Sequence, residues 1–122
     1  ISYKIQLLHQ QHALLKQSFG KDFLWGVAIS AAQNEGAWNI DGRGPSIWDQ
    51  FAKRQGKIKG NGKPSVSCDF YYRYKDDLML VKAMGFNCFR FSISWSRILP
   101  EGTGKINKEG IAFYDRVIDE CL

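Results

Sequence analysis

Two runs of this chain carry the pattern of β-strands, and a helical pattern lies between them. Phe23-Leu-Trp-Gly-Val-Ala-Ile-Ser30 is almost continuous in apolar and small residues, as suits a strand buried on both faces of a parallel sheet. Asn87-Cys-Phe-Arg-Phe-Ser-Ile-Ser-Trp95 alternates apolar and polar side chains and includes aromatic and β-branched members, the pattern of a second strand. Between the two, Phe70, Tyr74, Leu78 and Val81 recur at helical intervals while Asp69, Arg73, Lys75, Asp76 and Lys82 fall mostly elsewhere. This spacing predicts a helix over 70–84 that Gly85 stops. A further helix is predicted from Asn107, its candidate cap, with Ile111, Tyr114, Ile118 and Cys121 on one face.

Strand, connection, helix, strand, helix is the order of β/α units, and a crossover of this kind is right-handed in nearly all proteins. The fold class is therefore α/β, with 24–30 and 88–94 expected as adjacent parallel strands. Two units do not distinguish an open doubly wound sheet from a closed barrel. No GxGxxG or GKS/T loop follows either strand, which removes the main support for a nucleotide-binding sheet.

Composition narrows the class further. Of 122 residues, 44% are hydrophobic and 14% aromatic, enough for a packed core. No stretch reaches the roughly 18 apolar residues of a membrane span, and the start lacks the apolar core of a secretory signal. Cys68, Cys88 and Cys121 are an odd number with no CxxC pair, which predicts neither a disulfide framework nor a zinc site and points to a reducing, cytoplasmic setting. The net charge of +5 owes much to Lys53, Arg54, Lys57, Lys59 and Lys63. These are interleaved with Gly56, Gly60, Asn61 and Gly62, so a solvated loop is expected there rather than a nucleic-acid surface. Asn34–Pro45 reads as a long polar, glycine-rich connection, with a helical turn around Ile47, Trp48 and Phe51. Residues 1–18 read as an amino-terminal extension; His9 and His12, with no acid or cysteine nearby, are expected as surface residues rather than metal ligands. A start at Ile1 and an amphipathic pattern still running at Leu122 lead us to expect a chain cut at both ends.

Phe23-Leu-Trp-Gly-Val-Ala-Ile-Ser-Ala-Ala-Gln-Asn-Glu-Gly-Ala37 resembles the amino-terminal signature of glycoside hydrolase family 1. Further blocks follow in the family's order and spacing from about Phe19 to the last residue. They are Trp38-Asn, Asp41-Gly-Arg-Gly-Pro-Ser-Ile-Trp-Asp49, Cys68-Asp69 leading to Tyr72-Arg-Tyr-Lys-Asp-Asp77, Phe89-Arg-Phe-Ser-Ile-Ser-Trp-Ser-Arg-Ile-Leu-Pro100, and Gly110 to Asp119. The chain departs from the family's usual residues at Ala32, where an aromatic often precedes the glutamine, and at Phe70 and Tyr72, where histidines are common.

The resemblance implies a TIM-type (β/α)8 barrel of which residues 19–122 are the amino-terminal part, the first two β/α units of a truncated barrel. It implies a β-glucosidase-type hydrolase of terminal non-reducing β-D-glucosyl residues, acting on a β-glucoside or related oligosaccharide without cofactor or metal. Both glutamates of the retaining mechanism would lie beyond Leu122, so the segment alone is expected to be inactive. Gln33 matches the family's glutamine that contacts hydroxyls of the non-reducing sugar, a role an amide fills because it both donates and accepts. Arg90 matches the arginine beside the nucleophile, where its charge favours the ionised carboxylate. Trp25, Trp38, Trp48 and Trp95 are expected to pack rather than stack on sugar. Glu35, though beside Gln33, is implied to be structural and not a general acid. A 6-phospho-β-glycosidase and a non-catalytic barrel used as a binding module are the alternatives.

Overall fold

A computed structural model describes residues 16–61 and 65–122. The first fifteen positions of the expected extension, with His9 and His12, lie outside the described residues, as do Lys63 and Pro64 of the basic loop; Lys16–Phe19 forms one 3-10 turn. Strand β1 is Gly26–Ala28, followed by the short helix α1, Ala31–Asn34, and by α2, Ile47–Ala52. The long helix α3 is Phe70–Ala83, strand β2 is Cys88–Arg90, a single turn α4 is Trp95–Ile98, and α5 is Lys108–Cys121.

The two strands are adjacent and parallel, with Gly26 opposite Cys88, Val27 opposite Phe89 and Ala28 opposite Arg90. Each is shorter than its sequence pattern. At the amino end the Trp25 carbonyl accepts from both Asn87 and Cys88 N–H, and the Trp25 N–H donates to the Asn87 side chain. At the other end one more bond, Ile29 N–H to the Arg90 carbonyl at 2.9 Å, closes the ladder before Ser30 caps α1. The alternating residues after Arg90 are therefore a loop, and Trp95 opens α4 instead of ending a strand.

Burial on both faces, expected for the first strand, is not found: one face of the pair packs on the core and its residues are half-buried. Phe89, Phe91 and Ile29 pack against a core of Ala37, Phe70, Tyr71, Tyr74, Leu78, Phe113, Tyr114 and Val117. Side chains alternate across a strand, so Gly26, Ala28, Cys88 and Arg90 lie on the opposite face, where Cys88 is half-buried and the other three are exposed. The helices α3 and α5 cover only the first face, and the core between them is largely aromatic; Tyr71 and Phe113 stack with ring centroids 4.4 Å apart.

Helix α3 ends as the sequence predicts. Gly85, at φ 76°, follows the cap; its N–H donates to the Lys82 carbonyl and the next N–H, of Phe86, reaches back to Val81, the paired bonds of a Schellman motif. Helix α5 turns a different face inward from the one its spacing suggests. Gly110, Phe113, Tyr114 and Val117 are buried, whereas Ile111 and Ile118 are 38% and 43% exposed and Cys121 is exposed. The rotation follows from Gly110, where a Cβ would stand 2.1 Å from the Arg97 carbonyl oxygen, so only glycine lets α5 approach α4 this closely. Asn107 sits at the cap position, but its side chain makes no capping bond; it donates instead to the carbonyls of Asp41 at 2.7 Å and Arg97 at 2.9 Å.

Candidate active site

In a parallel pair both strands deliver their following loops to the same edge, and here that edge carries Gln33 and the end of β2. Gln33 is the third residue of α1 and is exposed, with its Oε1 accepting from the Ser30 hydroxyl at 2.8 Å. Arg90 is the last residue of β2, on the uncovered face of the sheet, and among the described residues no carboxylate pairs with it. Among the described residues no hydrogen bond joins the two side chains, which share this edge of the sheet. A cleft of about 640 Å³ opens along this edge between the loops after the strands, lined by Ser30, Ala32, Ser92, Ile93 and the indoles of Trp48 and Trp95, though neither Gln33 nor Arg90 lines it.

Of the carboxylates near this edge, Glu101 lines the cleft and is exposed, whereas the buried Glu35 is committed elsewhere. Glu35 is 3% exposed and accepts from Arg97, whose Nε and Nη2 both reach Oε2 at 3.2 and 3.1 Å, and from the Tyr114 hydroxyl at 2.6 Å. A buried carboxylate with a guanidinium and a phenol on it is a structural tie, in line with its implied role. Arg97 is itself fully buried, gives longer bonds to the carbonyls of Gly36 and Ala37, and lies over the Tyr71 and Phe113 rings. Burial first, and then the neighbouring Glu35 charge and hydrogen bond, push the Tyr114 hydroxyl far above its ordinary pKa, so it stays protonated and donates.

Two smaller ties shape the connection after α1. Asp49 accepts from Ser46 N–H and hydroxyl and from Arg43 at 2.9 Å, closing a capping box at the start of α2. Burial opposes its ionisation, but the Ser46 bonds and Arg43 outweigh that and hold the carboxyl below its usual range. The Tyr71 hydroxyl donates to Asp41, and burial, followed by that bond and charge, pushes Tyr71 up to about 12.

The tryptophans divide. Trp25 packs with Phe19 and Phe23, and Trp38 lies beneath Lys53. Trp48 and Trp95 are 56% and 66% exposed; Trp48 meets Phe51 edge to face with ring centroids 6.1 Å apart, and Trp95 donates from Nε1 to the Gly102 carbonyl. The sequence reading did not find Arg97 and Tyr114 as partners of Glu35. They stand 62 and 79 residues from it, and no local spacing signals such a tie.

Comparison with known proteins places this arrangement. The chain is 55% identical over 106 residues to β-glucosidase 44 of Arabidopsis thaliana, a match covering 87% of this chain and 21% of that protein. It is 48% identical over 116 residues to the aryl-phospho-β-D-glucosidase BglC of Bacillus subtilis, covering 95% of this chain and 24% of that one. Among solved structures, a rice β-glucosidase in a covalent complex with glucose superposes with a TM-score of 0.81 at 44% identity, over 83% of this chain and 21% of the enzyme. The chain thus spans between a fifth and a quarter of the length of these relatives. With residues 15–122 also matching the sequence profile of glycosyl hydrolase family 1, the chain belongs to that family.

Proposed function

We propose that residues 19–122 form the first two β/α units of a (β/α)8 barrel that hydrolyses terminal β-D-glucosyl residues with retention of configuration. The observation that carries this reading is the uncovered face of the β1–β2 pair. Gly26, Ala28 and Arg90 lie exposed on it while the other face is packed, which is how a barrel strand looks when the inner face awaits its neighbours. Arg90 then faces the barrel interior at the carboxyl end of β2, where barrel enzymes keep their active sites.

In this reading the two catalytic glutamates lie outside these 122 residues: Glu35 and Asp49 are already committed to Arg97, Tyr114, Arg43 and Ser46, and Glu101 lines the cleft with no second carboxylate among the described lining residues to pair with it. One glutamate attacks the anomeric carbon while the other protonates the departing oxygen; the proton donor, now a carboxylate, then serves as base for the water that displaces the attacking glutamate and releases the sugar. Arg90 holds the nucleophile ionised by its fixed positive charge. Gln33 reads two neighbouring sugar hydroxyls through its donor and acceptor. The segment alone carries no such pair and is inactive. The similarity to a phospho-β-glucosidase over 95% of the chain favours, as a second reading, a substrate whose glucosyl unit carries a phosphate.

Steady-state kinetics of the full-length hydrolase test both readings. Gln33→Ala should lower kcat/KM for an aryl β-glucoside by about 10- to 100-fold with the melting temperature unchanged, since a hydroxyl left unpaired in a closed site costs about 1 to 3 kcal/mol. Unchanged kinetics in a folded variant would remove Gln33 from the site. Turnover of the 6-phosphorylated aryl glucoside alone would select the second reading.

A further inference from the structure

Helix α1 carries Gln33 and is only four residues long, too short to hold its own position, yet it is tied at both ends to the loop that follows Arg90. At its first residue the Ala31 N–H donates to the Ser92 hydroxyl at 2.9 Å. At its carboxyl cap, Glu35, the carboxylate accepts from the Tyr114 hydroxyl at 2.6 Å, and the same oxygen of Tyr114 accepts from the Ser94 N–H at 2.7 Å. Ser92 and Ser94 are two and four residues beyond Arg90. The two loops that deliver Gln33 and Arg90 are thus fastened by one direct bridge and one relayed through helix α5.

We infer that Ser92 and Tyr114 are positioning residues for the glycosidase reaction, setting Gln33 against the sugar by latching α1 to the loop after β2. This rests on the reading of Gln33 as a sugar contact. The Tyr114 relay suits a latch because its hydroxyl is buried, donates to a carboxylate and accepts from an amide, so all of its bonding capacity in this setting is used and its direction is fixed. Ser92 supplies the second point that prevents α1 from pivoting about the first. Neither side chain need touch substrate for its loss to matter, because a shift of about 1 Å in a reading group is enough to cost about a hundredfold in rate.

The test is a double-mutant cycle in the full-length enzyme, read as kcat/KM on an aryl β-glucoside. Tyr114→Phe and Ser92→Ala should each lower kcat/KM about tenfold in the unsubstituted background and less than about twofold when Gln33 is already alanine. A purely structural role would give the same loss in both backgrounds, and that result would overturn the inference. Should Tyr114→Phe fail to fold, Ser92→Ala still decides, because its hydroxyl is exposed and no core contact goes with it. Wild-type kinetics for Gln33→Ala itself would instead refute the sugar contact, and the latch would fall with it; additivity with an impaired Gln33→Ala refutes the latch alone.

Discussion

Replacing Arg97 by methionine probes the strongest tie in this segment. The guanidinium is fully buried and holds Glu35 by two bonds, with weaker ones to the Gly36 and Ala37 carbonyls. Methionine keeps the aliphatic stem but not the guanidinium carbon, which lies 4.5 Å from the Tyr71 and 5.4 Å from the Phe113 ring centroid, so those two contacts go with the charge. What is lost is the countercharge: Glu35, 3% exposed, keeps one neutral donor, Tyr114. Removing one partner of a buried pair costs about 3 to 5 kcal/mol. The substitution also relieves a cost, because the buried Arg97 Nη1 has no partner among the described residues, which offsets about 1 kcal/mol. The expected net loss is about 3 kcal/mol, measured by urea unfolding of the full-length protein followed by tryptophan fluorescence. Arg97→Met combined with Glu35→Gln should lose less than the sum of the single changes, because no uncompensated charge then remains. A loss below about 1 kcal/mol for Arg97→Met alone would refute the buried tie.

Further outcomes follow from the same packing. Gly110→Ala should destabilise by about 2 kcal/mol or more in thermal unfolding, since its Cβ would meet the Arg97 carbonyl at 2.1 Å, whereas Gly104→Ala, with nothing near it, should show only the smaller strain of its φ of 81°. Tyr71 is raised in the folded protein, so its stabilisation is complete below its unfolded value near 10 and is lost as pH rises through about 12. Unfolding curves should therefore weaken between those values, and Tyr71→Phe should flatten that slope; an unchanged slope would refute it. Residues 1–122 expressed alone should aggregate or lack a cooperative melting transition and should not cleave an aryl β-glucoside, because one sheet face and both strand edges are left open. Gel filtration and circular dichroism decide it, and a cooperative monomer would contradict the proposed boundary.

The sequence carried those features that depend on near neighbours. The α3 pattern of Phe70, Tyr74 and Leu78, its stop at Gly85 and the parallel β1–β2 pair were legible because period and turn chemistry are local. Strand ends were not, since the pairing stops at the bond from Ile29 to Arg90, ahead of the single-turn helices that begin at Ala31 and Trp95, and Phe91 to Ser94 keep a strand-like alternation after leaving the ladder. The inward face of α5 was missed because it is decided by the approach of Gly110 to Arg97, a tertiary contact that Ile111 and Ile118 do not announce. At the site, Gln33 and Arg90 came from a motif, whereas the Glu35, Arg97 and Tyr114 tie required the fold.

The central claim, that these strands form part of a glycosidase barrel with Gln33 reading the sugar, is tested most directly by a crystal structure of the full-length protein with a glucose-configured inhibitor. The expected structure has Gly26, Ala28 and Arg90 facing a closed barrel, a glutamate beside Arg90, and the Gln33 amide about 2.7 to 3.2 Å from two adjacent sugar hydroxyls. An inhibitor bound away from Gln33, or a sheet whose Arg90 face lies open to solvent in the whole protein, would contradict it.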